Sequence, residues 1–450
     1  MMDAGRHPNI TLLTYSEVEE VSGYIGNFDV RIRKRARSVR EDMCTGCGLC
    51  QEKCPTKVLD TAFEAGMGKR KAIYKPFAQA IPNVPLIDRE HCLFFTKGRC
   101  KLCEKVCPTG AIDYEQEDQL LDVQVGAIIV ATGFAPWNPV QLSQYSYGRS
   151  PNILTGLQFE RLTSATGPTG GEILTAEGKE PERVAIIHCV GSRDERAHAY
   201  CSRICCMYSL KQAHQVRDKT GAAVYDFYID MRAFGKAYEE FYARVQEEGI
   251  TFVRGQGTEV QVLPDGKLKV KAEDTLLGRL VAVDVDMVIL ATAVEPQSDA
   301  SRVAGLFGLG HTPDGFFAEA HPKLRPVETS TGGIFLAGAC QGPRDVPDTV
   351  THAGAAAMEL VSLFNQGEVT ISPTVAVVDA ARCVGCGECI LACPYSAISR
   401  NAEEKAEINA ALCHGCGTCA ATCPAGAITA LHFTDEEIVA QIDGLLVLAA

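Results

Sequence analysis

Four cysteines in the stretch Arg183–Ala213, namely Cys189, Cys201, Cys205 and Cys206, are the first residues here whose types and spacing could do chemistry. Val184–Ile187 reads as a buried parallel strand, and the turn after it is where a GxGxxG loop would cradle a dinucleotide pyrophosphate. The glycine positions hold Cys189, Gly191 and Asp194, so one glycine survives and a carboxylate stands where phosphate charge would go. Cys201, Cys205 and Cys206 are spaced for one face and the adjacent side of a helix turn. With Cys189 they form a four-thiolate set suited to an iron–sulfur cluster or to zinc. The plain alternative is four buried cysteines without metal, although adjacent Cys205 and Cys206 argue against a simple disulfide. The surrounding iron–sulfur motifs favour a cluster, in a nicotinamide loop rebuilt as a metal site.

Those motifs take up sixteen more of the 21 cysteines. Cys44, Cys47, Cys50 and Cys54-Pro55 follow the bacterial ferredoxin run, in which the fourth thiolate reaches a second cluster. Their partners are Cys92, Cys100, Cys103 and Cys107-Pro108, with the first gap stretched by Leu93–Arg99. Crossed ligation then assigns Cys44, Cys47, Cys50 and Cys107 to one cluster and Cys92, Cys100, Cys103 and Cys54 to the other. The pattern recurs undistorted near the C-terminus. There one cluster takes Cys383, Cys386, Cys389 and Cys423, and the other takes Cys413, Cys416, Cys419 and Cys393. Five sets of four leave only Cys340, which reads as ordinary packing, with a flavin contact as the alternative.

The elements that must position these residues are legible from periodicity. Ile10–Arg37 alternates apolar and polar residues around Gly23, Gly26 and Asn27, a β-meander with tight turns. Gly126–Gly133 is an apolar strand ending in Ala131-Thr132-Gly133, and Gly333–Ala339 is a second one ending in glycine. Strand ends of this kind make Thr132, Gly133, Gly338 and Ala339 candidate flavin contacts. A helix over Thr349–Phe364, with Asp348 available as N-cap, would aim the N–H groups of Thr349 and Val350 at the same ring. Arg183–Glu295 forms a second α/β unit closed by the strand Met287–Leu290, with a hairpin over Val260–Lys271. Lys211, five residues after Cys206 on the same helix, would lie near the reactive edge of the flavin as a cation and proton donor. A solvent-facing lysine is its alternative.

Composition excludes several classes. With 450 residues and 46% hydrophobic content the chain can bury a large core in three or four domains. There is no apolar run long enough for a membrane span and no signal-peptide pattern at the N-terminus. The cysteines therefore read as metal ligands in a reducing, cytoplasmic compartment. A net charge of −13 argues against nucleic acid as a general partner. The basic run Arg31–Arg40 reads as a solvated strand, with docking of an acidic electron carrier as the alternative.

The strings CVGSRD, YCSRICCMYSLKQA, AFGKAYEEFY, HPKLRPVETS and AGACQGPRDVPD, with both ferredoxin patterns in order, resemble the A-type, iron–sulfur flavoprotein subunit of heterodisulfide reductase from about His7 onward. The resemblance implies an α/β fold with a two-Rossmann, thioredoxin-reductase-like core, the first Rossmann incomplete at its N-terminus. An inserted and a C-terminal two-cluster ferredoxin-like α+β domain complete it. The expected divisions are 1–40, a partial FAD-binding domain; 41–115, the inserted ferredoxin domain; and 116–182, the FAD-binding domain continued. They continue with 183–296, the cluster-bearing second Rossmann unit; 297–372, the return to the FAD-binding domain; and 373–450, the C-terminal ferredoxin domain. The resemblance also implies FAD and flavin-based electron bifurcation; since nothing in the sequence resembles a nucleophile–base pair for substrate chemistry, disulfide or thioester reduction is expected on a different polypeptide of the complex. Partners would be other components of such a complex and a ferredoxin, hydrogenase or dehydrogenase donor.

The GxGxxG loop expected for FAD is missing from this sequence, so FAD is expected to be shared with a separate polypeptide carrying that loop. The competing readings are a flavin-free iron–sulfur wire and a pyridine-nucleotide oxidoreductase. The latter is disfavoured by Cys189 and Asp194 in the phosphate loop.

Overall fold

The computed structural model describes residues 2–368 and 373–448. Strands β1 (Ser16–Tyr24) and β2 (Asn27–Lys34) form a hairpin, with Gly26 of the turn at φ +87°. The chain leaves this sheet for the first ferredoxin module, whose short helices include Leu49–Lys53 and Leu102–Lys105. It returns as β3 (Gln119–Val125), paired antiparallel along β2 from Lys34↔Gln119 to Phe28↔Val125. The module is therefore an insertion into one sheet. The basic run is largely matched by carboxylates: Arg31 lies 2.7 Å from Glu20 and 2.9 Å from Asp122, and Arg35 lies 2.7 Å from Glu17. Such exposed, solvent-screened pairs add little stability, but they neutralise much of the basic run that a docking site would need.

After β4 (Ile128–Val130) the chain builds the second unit. Its elements are β5 (Ile153–Thr155), α1 (Gly156–Thr163), β6 (Arg183–Val190), α2 (Cys205–Thr220), β7 (Ala223–Tyr228), α3 (Tyr238–Glu247) and β8 (Thr251–Arg254). An antiparallel meander follows, β9 (Gly257–Val262), β10 (Leu268–Asp274) and β11 (Arg279–Val285), before β12 (Met287–Thr292). The parallel sheet has the order β5–β12–β6–β7–β8. β6 and β12 are apolar along nearly their whole length because both faces of a parallel sheet are covered. One face packs Ile186 and Ile289 against Leu210 and Val216 of α2, and the other packs Ile187 and Leu290 against Leu268 of the meander. Thr155 and Gln158 start α1 with a reciprocal capping box.

This unit begins before residue 183, where the sequence places its boundary. β5 pairs with Val288–Leu290 of β12, and Trp137, Leu142 and Tyr145 join the meander-side core. A three-residue edge strand whose partner lies far along the chain has no local signature. The second return to the first unit is β13 (Ile334–Leu336), parallel to β4 from Ile128↔Ile334 to Val130↔Leu336.

Helix α4 spans Val346–Gln366 and starts before Thr349. Its N-cap is Asp345, whose Oδ1 accepts from Asp348 N at 2.9 Å, and Pro347 sits in the first turn. Asp348 is thus inside the helix rather than its cap. The boundary expected at residue 372 lies outside the described residues. The C-terminal module pairs Ala376–Val378 with Ile428–Ala430 and Ile398–Arg400 with Ala406–Ile408, around the helices Glu388–Ala392 and Thr418–Thr422. Among the described residues no helix is long and apolar enough to cross a membrane.

Leu210 is fully buried where α2 meets the sheet. Leu210→Ala should cost the second unit about 2–5 kcal/mol, since the cavity left behind adds to the lost burial. Denaturant unfolding followed by circular dichroism measures this. An effect below about 1 kcal/mol would mean that α2 is not anchored there.

Candidate metal centres and cofactor cleft

The C-terminal module sets its thiols in two crossed groups. Cys383, Cys386, Cys389 and Cys423 line one small cavity, and Cys393, Cys413, Cys416 and Cys419 line another. Sγ of Cys413, Cys393 and Cys423 accept backbone N–H bonds from Ala376, Ala397 and Ala427 at 3.3–3.4 Å. In the first module Cys103 faces Cys92 and Cys54, while Cys50 faces Cys44, Cys103 and Cys47. Sγ of Cys107 accepts from Ala111 N at 3.3 Å, and Cys100 adopts a left-handed φ of 79°. The stretched gap of the first module forms the helix Leu93–Lys97, closed by Gly98.

The chemistry of these donors fits a bound metal cluster. Burial pushes the Cys50 thiol up to about 11 and raises Cys103, Cys389 and Cys419. Thiolates in such surroundings need a cation to remain ionised. The crossed grouping, in which the last cysteine of each run joins the first three of the other, is the ligand pattern of a two-cluster ferredoxin.

The third set is built differently. Cys189 ends the apolar stretch of β6 at a left-handed φ of 56°, and Arg193 and Arg203 in the following loop share that conformation at 56° and 64°. Non-glycine residues in this region cost about 1–3 kcal/mol each and persist where the surroundings force them. Gly191, the surviving glycine, has φ +76°, and a Cβ there would lie 2.4 Å from the Trp137 ring. Ser192 and Ser202 knit the loop: Ser202 N donates to Ser192 Oγ at 2.9 Å, and Val294 N donates to Ser202 Oγ at 3.0 Å.

Cys205 and Cys206 open α2, whose N-terminus has no side-chain cap. Cys205 hydrogen-bonds both Cys189 and Cys206. These bonds draw Cys189 down to about 7 and Cys206, which also meets His188, down to about 4, while Cys205 is raised well above the usual thiol range. Burial disfavours a charged His188, but Asp226 and Cys206 outweigh it and keep the imidazole protonated well above its ordinary range.

Cys201 lies in the loop ahead of α2 rather than on it. It accepts from Arg203 N at 3.3 Å and shares the Arg193 guanidinium with Cys189. The guanidinium of Arg203 pairs with Asp348 of α4 and lies over the Phe234 ring. Asp194 is occupied by Arg196 at 2.8 Å.

A cleft of about 870 Å³ lies between α2, the start of α3 and the start of α4. Its walls include Phe134, Met207, Tyr208, Tyr238, Arg344 and Pro347. That volume falls within the range of cofactor sites, and the mixture of aromatic rings and cations fits the ring portion of a flavin. Lys211 is on its wall, with Nζ 2.6 Å from Glu160 Oε1.

The strand-end residues lie beside the cleft rather than lining it. Gly338 packs against Thr349 with φ +77°, and its N–H donates to His352 Nδ1 at 2.9 Å. Ala339 is buried, whereas Thr132 and Val350 are exposed; Gly133 has φ +74° and precedes Phe134 of the wall. Cys340 Sγ donates to Val130 O at 3.2 Å within a packed core, where burial raises its thiol. Sequence reasoning missed Lys236, Tyr238, Arg244 and Arg344 as cleft residues. Three of them lie in or next to the AFGKAYEEFY string, where the mixture of cations and rings was the available signal.

Residues 43–111 and 376–430 each match the model of a 4Fe-4S dicluster domain. The chain is 48% identical over 450 residues to the A-type polypeptide of the H(2):CoB-CoM heterodisulfide,ferredoxin reductase of Methanothermobacter thermautotrophicus, covering 99% of this chain and 67% of that relative. It is 46% identical to the A-type iron-sulfur polypeptide of the CoB--CoM heterodisulfide reductase of Methanocaldococcus jannaschii, covering 99% and 68%. A T. acidophilum thioredoxin reductase structure aligns over 56% of this chain and 70% of its own, at 14% identity and a TM-score of 0.36, too low to add to the argument.

Crossed ligation has a direct test in the C-terminal module. Cys423→Ala should abolish the cluster of Cys383, Cys386 and Cys389 and leave that of Cys413, Cys416 and Cys419. Iron analysis with electron paramagnetic resonance separates the two. Loss of the Cys413 cluster instead would mean that each run ligates its own.

Proposed function

The chain belongs to the A-type family of heterodisulfide reductase components, and from that premise we propose that it splits electron pairs by flavin-based bifurcation, with FAD in the cleft and five 4Fe–4S clusters. Its standing as an iron–sulfur electron-transfer component of an oxidoreductase follows from the family and the two dicluster domains. The observation that carries the finer reading is α2 itself. One helix begins with Cys205 and Cys206 and, five residues later, presents Lys211 to the cleft.

When bound, FAD exchanges electrons in pairs or singly and each cluster carries one, so a junction of the two can divide a pair. Cys189, Cys201, Cys205 and Cys206 would hold the fifth cluster beside the cleft. Lys211 would place a cation and an available proton at the ring edge, with Glu160 fixing the ammonium when the ring is unreduced. The two ferredoxin modules would supply routes to separate acceptors.

The name of the Methanothermobacter relative pairs hydrogen with two acceptors, heterodisulfide and ferredoxin, which supports the splitting reading. Other reductase subunits and a ferredoxin, hydrogenase or dehydrogenase donor are the partners proposed. The pyrophosphate of FAD would be held by residues outside this sequence, for which a separate FAD-loop-bearing polypeptide is one carrier.

Two substitutions in the assembled complex test the reading. Lys211→Ala should slow electron splitting by roughly 10²-fold with flavin content unchanged, the loss typical of a removed proton donor. Unchanged rates and flavin potentials would remove Lys211 from the chemistry. Cys201→Ala should stop transfer between flavin and the fifth cluster while both ferredoxin modules retain iron. Global loss of iron and of fold would instead make that set a structural staple.

A further inference from the structure

We propose that Arg344 binds the pyrimidine edge of the flavin ring, at N1 and the C2 carbonyl, and holds the negative charge that reduction leaves there. The inference rests on the reading that FAD occupies the cleft. Arg344 stands between β13 and α4, one residue ahead of the N-cap Asp345. It lines the cleft from the α4 side, whereas Lys211 lines it from α2. The cleft wall carries Lys211, Lys236, Arg244 and Arg344 against Glu240 and Asp345. In a chain with a net charge of −13, that local excess of cations marks a place for an anion.

The other charges are paired or in water. Lys211 holds Glu160, Arg244 lies over the Phe241 ring, and Lys236 and Glu240 are exposed. Asp345 is used twice, as the N-cap of α4 and as acceptor from Tyr238 Oη at 3.1 Å. Asp348, the next carboxylate along, is taken by Arg203. Arg344 is half-buried, and among the described residues its hydrogen bonding ends with Nη2 donating to Gln341 Oε1 at 2.5 Å. Its Nε is buried with no partner among those residues. A cation withdrawn from water without a counter-charge is costly, so the site calls for an anion supplied from the cleft. Phe134, Tyr208 and Tyr238 line the same cleft, which suits a ring rather than a phosphate.

Gln341 is the positioning residue behind this cation. Its Nε2 donates to Glu319 Oε2 at 2.8 Å and to Pro326 O at 3.0 Å, which turns Oε1 toward Arg344. The first backbone donors of α4 are spent, since Asp348 N and Thr349 N bond Asp345 Oδ1 and O, each at 2.9 Å. The guanidinium is left as the donor beside that helix end, and its charge has the sign of the dipole there. When the hydrogenase or dehydrogenase donor delivers an electron pair, one proton goes to N5, from Lys211 on the reading above. Negative charge is then left on N1 and the C2 oxygen. Arg344 stabilises that charge and moves no proton, because a guanidinium stays protonated throughout.

The test uses the assembled complex carrying Arg344→Gln, with FAD content, a redox titration followed by absorbance, and a sulfite titration as readouts. Sulfite adds to N5 and leaves the same negative charge on N1 and the C2 oxygen, so it probes that edge without an electron donor. FAD should be retained while sulfite affinity falls roughly tenfold, the size of one lost charge-assisted hydrogen bond. Reduction of the flavin should become roughly tenfold less favourable, a fall of about 30 mV for a two-electron couple. Arg344→Lys keeps the charge without the planar fork and should recover part of both losses.

Unmoved sulfite affinity and potential in an FAD-loaded Arg344→Gln complex overturn the proposal. If Lys211→Ala is silent in the same titrations, the cleft reading falls with it; if Lys211→Ala alone shifts them, the reading stands and Arg344 is removed from it. Where Arg344→Gln loses FAD, Arg344→Lys decides. FAD retained there, with sulfite affinity close to wild type, supports the role of charge. Loss of FAD from both variants overturns the proposal, because the side chain would then serve packing.

Discussion

Buried thiolate charge is the constraint on which much of this structure depends. The core of the C-terminal module contains Ala376, Ile398 and Ile428, but Cys389, Cys393, Cys413, Cys419 and Cys423 fill much of the rest. The first module has the same composition, with Cys44, Cys50, Cys54, Cys92, Cys103 and Cys107 packed around Val39, Ile73 and Ile87. Units with so little apolar matter cannot offset chain entropy by burial alone. A metal cluster that neutralises the thiolates would therefore also contribute folding free energy to these modules.

The second unit inverts that dependence. Its sheet carries two full apolar faces, with Ile186, Ile289 and Leu210 on one side and Ile187, Phe227 and Leu290 on the other. Nothing in that core needs a metal. Cysteines at the exit of β6 and the start of α2 are placed on a scaffold that has its own apolar core. The left-handed backbone at Cys189, Arg193 and Arg203 is affordable for the same reason: a rigid sheet below and α2 above hold the loop in a conformation it would not choose alone.

What was legible in the sequence was local. Ligand spacing survives translation into structure because both ferredoxin runs wrap their sites within a few residues, and the apolar runs of β6 and β12 announce a covered parallel sheet. Contacts made across long separations were not legible. β5 finds β12, Arg203 reaches Asp348, and His188 meets Asp226 only because β7 lies beside β6. Helix α4 starts early because Asp345 and Pro347 together outcompete Asp348 as a starting signal, a difference of one turn. The cleft residues Lys236 and Arg344 come from segments that share no period or motif, and only the fold brings them together.

Helix α2 joins these strands of argument. Its first turn lacks a side-chain cap, so free N–H groups and the positive end of the helix dipole are available beside Cys205 and Cys206. Its next turns carry Tyr208 and Lys211 to the cleft. At 1.5 Å per residue the five steps from Cys206 to Lys211 span about 7.5 Å, and no hinge separates them within the continuous helix. On the proposed reading, a metal site and a flavin site sharing this one helix would keep a constant separation. Arg203, from the loop before α2, and Tyr238, at the start of α3, both reach the first turn of α4, through Asp348 and through Asp345 at 3.1 Å respectively. The wall opposite α2 is thereby tied to the same frame. On the proposed reading, that fixed distance is what lets one electron of a pair leave by a defined route while the other is held.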